Sequence, residues 1–102
     1  MRNAARVFRA LADPTRRQIL EELKGRELAA GEIGGRFAIS APSISRHLAI
    51  LKAAELVSER RDGNRILYRL EPETLIASLN SYLSAVCPTQ MHQRRRIAAR
   101  RA

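Results

Sequence analysis

Apolar residues recur every three to four positions along most of this chain, and over one stretch, 65–70, they alternate instead, so the pattern predicts helices around a single ribbon. Ala4, Val7, Phe8 and Leu11 share one side of a helix predicted over 3–12. Asp13-Pro14 punctuates it: Asp13 suits an N-cap, and Pro14 suits the first helical position, where its missing N–H has no partner to lose. Ile19, Leu20 and Leu23 make the apolar side of a second helix ending at 23 or 24, with Gly25 placed to stop it. A weaker third helix is predicted over 28–37, with Ile33 and Phe37 as its apolar contact and Glu32 and Arg36 able to pair at i,i+4. Gly31, Gly34 and Gly35 each weaken it by about 1 kcal/mol relative to Ala, so tertiary packing must hold it.

Ala38-Ile39-Ser40 is a turn, and Ser40 is placed to cap a fourth helix running to about residue 54, with Pro42 in its first turn. Residues 56–61 then read as a strand, Asp62-Gly63-Asn64 as a turn tolerant of positive φ, and 65–70 as the returning strand. In that strand Ile66, Tyr68 and Leu70 face one way and Arg65, Leu67 and Arg69 the other. Glu71-Pro72 opens a last helix striped by Leu75, Leu79, Tyr82, Leu83 and Val86, and Cys87-Pro88 stops it. The expected division is one folded domain over 1–88 and a tail over 89–102 that lacks apolar periodicity and reads as disordered or as a frayed basic helix.

The fourth helix has two unlike sides. Ile44, Leu48 and Leu51 form an apolar face, while Pro42, Ser43, Ser45, Arg46 and Ala49 lie away from it. A helix that buries one side and offers short polar groups and an Arg on the other suits a DNA major groove. Charge points the same way. The chain carries 19 basic against 10 acidic residues, a net +9, of which the five arginines in 91–102 supply +5. Such a balance favours an acidic polymer such as DNA, or else describes a basic protein whose arginines are simply solvated. The 102 residues suffice for one domain, and aromatic content of 4% suits an aliphatic, helix-rich core. Cys87 is the sole cysteine, which fits a reducing compartment, and no apolar run approaches a membrane span or a signal peptide; cytoplasmic residence is the expectation.

Three stretches carry a family resemblance. The segment Ala10-Leu11-Ala12-Asp13-Pro14-Thr15-Arg16-Arg17-Gln18-Ile19-Leu20, the helix Ser43-Ile44-Ser45-Arg46-His47-Leu48-Ala49-Ile50-Leu51, and the ribbon from Leu56-Val57 through Arg60-Arg61-Asp62-Gly63-Asn64-Arg65 to Tyr68-Arg69-Leu70 resemble the ArsR/SmtB family of bacterial transcription repressors. The resemblance spans about residues 4–86. It implies a mainly α fold with a small β-hairpin, a winged helix-turn-helix of order α-α-α-α-β-β-α. It also implies a homodimer, built through the terminal helices, that binds double-stranded operator DNA. On that reading the dimer face comprises Val7, Phe8, Leu11, Leu75, Leu79, Tyr82, Leu83 and Val86; the alternative is that the last helix's stripe is intramolecular core.

The resemblance places the reading helix at Ser40, Pro42, Ser43, Ser45, Arg46 and His47, and the wing at Arg60, Arg61, Asn64 and Arg65. Arg46 matches guanine O6 and N7, or it clamps a phosphate. Ser43 and Ser45 touch base edges or phosphates, or bond their own backbone. Ser40 is a cap that also reaches phosphate. His47 packs or touches phosphate rather than binding metal. Arg16 and Arg17 reach phosphate or pair with Asp13 or Glu21. Cys87 is a plain half-buried thiol or a redox switch.

Many relatives respond to metals, and here the chain departs from them. Leu28-Ala29-Ala30-Gly31-Glu32 stands where paired cysteines would be, and Ser78-Leu79-Asn80-Ser81 where Asp and His would be; a closed zinc site wants about four Cys, His or carboxylate ligands. His47 and His92 fall in unrelated segments. The expectation is therefore no metal and no cofactor, as in the branch that includes SdpR-type repressors. The competing readings are a metal- or redox-responsive sensor on the same scaffold and a winged helix used as a protein-interaction module. Catalysis has no nucleophile–base pair, dicarboxylate or phosphate loop to work with.

Overall fold

A computed structural model of the chain describes residues 2–87, with side chains from Ala4 onward; the predicted tail and its boundary at 88 lie outside the described residues. The elements follow in the order α1 (Arg2–Leu11), α2 (Pro14–Glu22), β1 (Leu28–Ala29), α3 (Ala30–Phe37), α4 (Ala41–Ala53), β2 (Val57–Asp62), β3 (Arg65–Leu70) and α5 (Pro72–Val86). The strands form an antiparallel sheet in the order β1-β3-β2.

The local signals that start the helices act as read. The Asp13 carboxylate accepts the Arg16 N–H at 3.1 Å, with Pro14 opening α2. Ser40 Oγ accepts the Ser43 N–H at 3.4 Å and caps α4. At its other end α4 closes through Glu55, which takes φ 61. Leu56 N–H then reaches Leu51 O at 3.0 Å and Glu55 N–H reaches Lys52 O at 2.9 Å, a Schellman closure with Glu where Gly is usual.

The predicted third helix is shorter than expected, because its first two residues form β1. Leu28 and Ala29 pair with Tyr68 and Leu67, and this pairing buries Leu28 to 5% exposure. Helix α3 begins only at Ala30, after Ala29 has taken extended angles. The Glu32 carboxylate reaches back to the Ala29 N–H at 2.9 Å, satisfying a donor that the helix leaves over. The expected Glu32–Arg36 pair is not made: Arg36 pairs with Glu22 at 3.3 Å, and Glu32 with Arg65.

The core joins Val7 and Ala10 of α1, Ile19, Leu20 and Leu23, Leu28, Ile33, then Ile44, Leu48 and Leu51 of α4, and Ala54, Leu56 and Val57. All three apolar positions read for α4 lie in it, so its opposite side is left to solvent. In β3, Tyr68 and Leu70 pack on this core, but Ile66 is exposed near the hairpin tip. Leu67, expected to face away with the arginines, is buried. It lies between Ala29 and Arg60 in register, and β1, which the sequence pattern did not reveal, supplies one side of that cover. The two-residue Gly63-Asn64 loop closes β2 and β3, with Gly63 at φ 65.

Val7 corrects the expected dimer face: it has no exposed surface and belongs to the protomer core. Leu11 and Leu75 also pack on that core. Phe8 meets Tyr82 edge to face, with centroids 5.0 Å apart, and so joins α1 to α5 within one protomer. Phe8, Tyr82, Leu83 and Val86 nonetheless remain exposed, as does Ile76, which the predicted stripe omitted.

Candidate nucleic-acid interface

Helix α4 turns Pro42, Ser45, Arg46, Ala49 and Ala53 to solvent. The N-terminal turn carries a short polar chain: Ser40 Oγ donates to Ser43 Oγ at 3.1 Å, and Arg46 Nη2 donates to the same oxygen at 3.3 Å. Ser43 Oγ thus accepts twice, which leaves its own proton for an outside acceptor. Arg46 has no carboxylate partner among the described residues. Its guanidinium is steered by a neutral hydroxyl, a contact that a phosphate or a guanine edge can outcompete.

His47 is turned away from this face. Its side chain is 21% exposed, with Nδ1 3.9 Å from Asp13 Oδ2 and 3.4 Å from Arg16 Nη1. That is the packing reading of His47, against the start of α2.

Arg16 and Arg17 make neither of the expected ion pairs with Asp13 or Glu21. Arg16 Nε donates to Ala10 O at 2.8 Å and Nη2 to Arg9 O at 2.9 Å, while Arg17 Nη1 donates to Leu11 O at 2.6 Å. The last carbonyls of a helix lack intrahelical donors, and the planar guanidinium fork supplies one to Ala10 O and a second to Arg9 O, which also accepts the Ala12 N–H at 3.3 Å. Arg16 thereby ties α1, α2 and α4 together behind the outer face of α4.

On the wing, Arg60 and Arg65 are held by acids from the body. Arg60 donates twice to Glu27, at 2.8 Å each, and Arg65 donates to Glu32 at 2.6 Å. The Arg60 hydrogen bond lowers the Glu27 pKa. Glu32 is lowered first by the Ala29 N–H and then by the Arg65 charge. Arg60 in turn is raised by Glu27. Sequence reading found the arginines and missed these partners: both pairs span 33 residues, a separation that only the register of the sheet brings together. Arg61 and Asn64 are exposed and have no side-chain partner among the described residues. Lys52 of α4 pairs with Glu59 of β2, which lays the wing along one flank of the helix.

Among the described residues no three His, Cys, Asp or Glu side chains are grouped so as to hold an ion. Cys87 is half-buried at the end of α5, its N–H on Leu83 O at 2.7 Å. No helix among the described residues is long and apolar enough to cross a membrane.

Residues 13–59 match the family model described as bacterial regulatory protein, arsR family. The chain is 50% identical to the transcriptional repressor SdpR of Bacillus subtilis over 78% of its own length and 89% of that protein's. It is 45% identical to the HTH-type transcriptional regulator Rv2034 of Mycobacterium tuberculosis, covering 74% of this chain and 71% of the relative. Among solved structures, an ArsR-like transcriptional regulator from Rhodococcus sp. RHA1 superposes with a TM-score of 0.75 at 33% identity, covering 95% and 88% of the two chains.

Proposed function

The chain belongs to the arsR family of bacterial regulatory proteins, a family of DNA-binding transcription regulators and not of enzymes, and we propose that it acts in the cytoplasm as a homodimeric repressor on a specific operator, without a metal effector. One observation carries the reading of the site. Helix α4 commits Ile44, Leu48 and Leu51 to the core and leaves Arg46, beside Pro42, Ser43 and Ser45, exposed and without a carboxylate partner. In this reading Arg46 and the two serines meet base edges, Ser40 holds the helix start and touches phosphate, and Arg60, Arg61, Asn64 and Arg65 meet the backbone beside the groove. His47 serves as packing. The dimer forms through the exposed apolar surface that Phe8, Tyr82, Leu83 and Val86 leave on α1 and α5, with Leu11, Leu75 and Leu79 beneath it.

The test is a salt titration of wild type and Arg46→Ala on the operator and on a scrambled duplex. A footprint on DNA upstream of the chain's own coding region supplies the first operator to try. Arg46→Ala should cost roughly 1–3 kcal/mol on the operator and far less on the scrambled duplex. An equal loss on both would make Arg46 a backbone clamp and move specificity to Ser43, Ser45 or DNA shape. Sedimentation equilibrium of the same sample should give about twice the mass of one chain.

A further inference from the structure

Arg6 and Arg9 of α1 stand over a shallow cleft of about 210 Å³ whose floor is Ala49, Ile50 and Ala53 of α4. Both are exposed, and neither guanidinium meets a carboxylate or another hydrogen-bond partner among the described residues, in contrast to Arg60 and Arg65. The floor is not a separate surface. Ala49 and Ala53 follow Arg46 at i+3 and i+7, so they continue the outer face of the same helix. Lys52, held by Glu59 of β2, marks the opposite flank. The outer face of α4 is therefore bordered by the wing on one side and by Arg6 and Arg9 on the other.

A helix about 10–12 Å across fills a major groove about 12 Å wide, and a row of phosphates rims that groove on each side. A wing can reach only the row on its own side. We propose that Arg6 and Arg9 are a second backbone clamp, binding phosphates on the rim opposite the wing while α4 sits in the groove. The proposal rests on the reading of α4 given above. The clamp orients α4 and adds affinity, and it carries no sequence information, because phosphates repeat whatever the bases. The small side chains of Ala49 and Ala53 leave room for the sugar-phosphate chain to approach between the two helices.

The test uses the full chain with Arg6 and Arg9 both replaced by Ala, and a second variant with both replaced by Lys. Each is titrated with salt on operator and scrambled duplexes. The Ala variant should bind both DNAs more weakly by the same factor, keep its preference for the operator, and lower the slope of log affinity against log salt by about 1.8, or roughly 0.9 per contact. The Lys variant should keep the wild-type slope. Unchanged affinity and slope on both duplexes would overturn the clamp. So would a halved sedimentation mass, which would make the arginines a subunit contact. Release of DNA by millimolar benzoate that is lost in the Ala variant without a change of slope would assign the cleft to a small amphiphilic anion instead. Arg46→Ala, measured alongside, separates the two claims. If it removes the preference for the operator while the Arg6/Arg9 variant leaves affinity and slope unchanged, the reading of α4 stands and the clamp falls. If it leaves both duplexes unaffected, the reading of α4 fails, and a lowered slope in the Arg6/Arg9 variant is no longer that of a clamp opposite the wing.

Discussion

The arginines on the two flanks of α4 carry equal charges but differ in availability. On the wing flank, Arg60 and Arg65 each hold a carboxylate of the body, Glu27 and Glu32. On the α1 flank, Arg6 and Arg9 hold none among the described residues, and Arg16, close behind them, is spent on the carbonyls of Arg9 and Ala10. Counting basic residues along the chain would rank all of these alike. What separates them is which acceptors the fold delivers. A wing arginine must exchange a partner to meet a phosphate, an α1 arginine need not, and Arg16 cannot without opening a helix junction. An exposed ion pair is weak and screened by salt, so the exchange on the wing is easy, and until it occurs the pairs fix where the hairpin points.

The sharpest way to break this comparison is Arg16→Ala. Its loss strands the Ala10 carbonyl, leaves Arg9 O with the Ala12 N–H alone, and removes the guanidinium that lies against His47 of α4. Hydrogen bonds from a charged donor in a part-buried site contribute about 1.5–3 kcal/mol, so urea unfolding should show a loss of about 2 kcal/mol. Arg16→Lys should not restore it, because an ammonium lacks the planar fork. If Arg16→Ala keeps full stability and instead lowers the salt slope on DNA, Arg16 belongs with Arg6 and Arg9 as an available cation.

Glu27→Gln makes the next change. It releases Arg60 from its two-point hold. Affinity for operator and scrambled DNA should rise together, and the salt slope should steepen by at most about one unit, since one more cation becomes free for phosphate. The pH dependence has a fixed sign. The Glu27 carboxyl is held below its ordinary value of 4.5 by Arg60, so its contribution to stability is full above that value and is lost as pH falls through the lowered folded value. The stability difference between wild type and Glu27→Gln should therefore persist from neutral pH to about 5 and vanish in stronger acid. A difference that grows on acidification would contradict the pairing.

The parts of this arrangement that the sequence made legible are those set by near neighbours. Asp13-Pro14 and Ser40 announce helix starts because a cap acts over three residues, and Ile44, Leu48 and Leu51 announce a buried side because helical period is local. Strand β1 was not legible, since two residues show no periodicity and their partners, Tyr68 and Leu67, lie about forty positions on. The partners of Arg16 and Arg17 were hidden for another reason: they are main-chain carbonyls, which every residue has, so no side-chain signal marks them. Glu27 and Glu32 could be recognised as wing partners only after the sheet register was known. Ile76 escaped because it sits one position beside the stripe of Leu75 and Leu79, on a flank of α5 that one protomer does not cover.

The smallest effect is expected at the link from α4 to the wing. Glu55 takes a left-handed conformation there, at φ 61, and Ala38 takes one at φ 52 at the end of α3. For a residue with a Cβ this costs about 1–2 kcal/mol, and glycine removes that cost while adding freedom to the unfolded chain, so Glu55→Gly and Ala38→Gly should each gain at most about 1 kcal/mol. The two differ in charge. Glu55 places a carboxylate at the C-terminal end of α4, where the helix dipole is already negative, and close to the face proposed for DNA. Glu55→Gly should therefore also raise DNA affinity slightly, equally on operator and scrambled duplexes and most clearly at low salt, while Ala38→Gly should leave it unchanged. A gain on the operator alone would mean that the link sets the angle of α4 in the groove. The wing flank would then act on base reading as well as on the backbone, and the division between the two flanks would no longer hold.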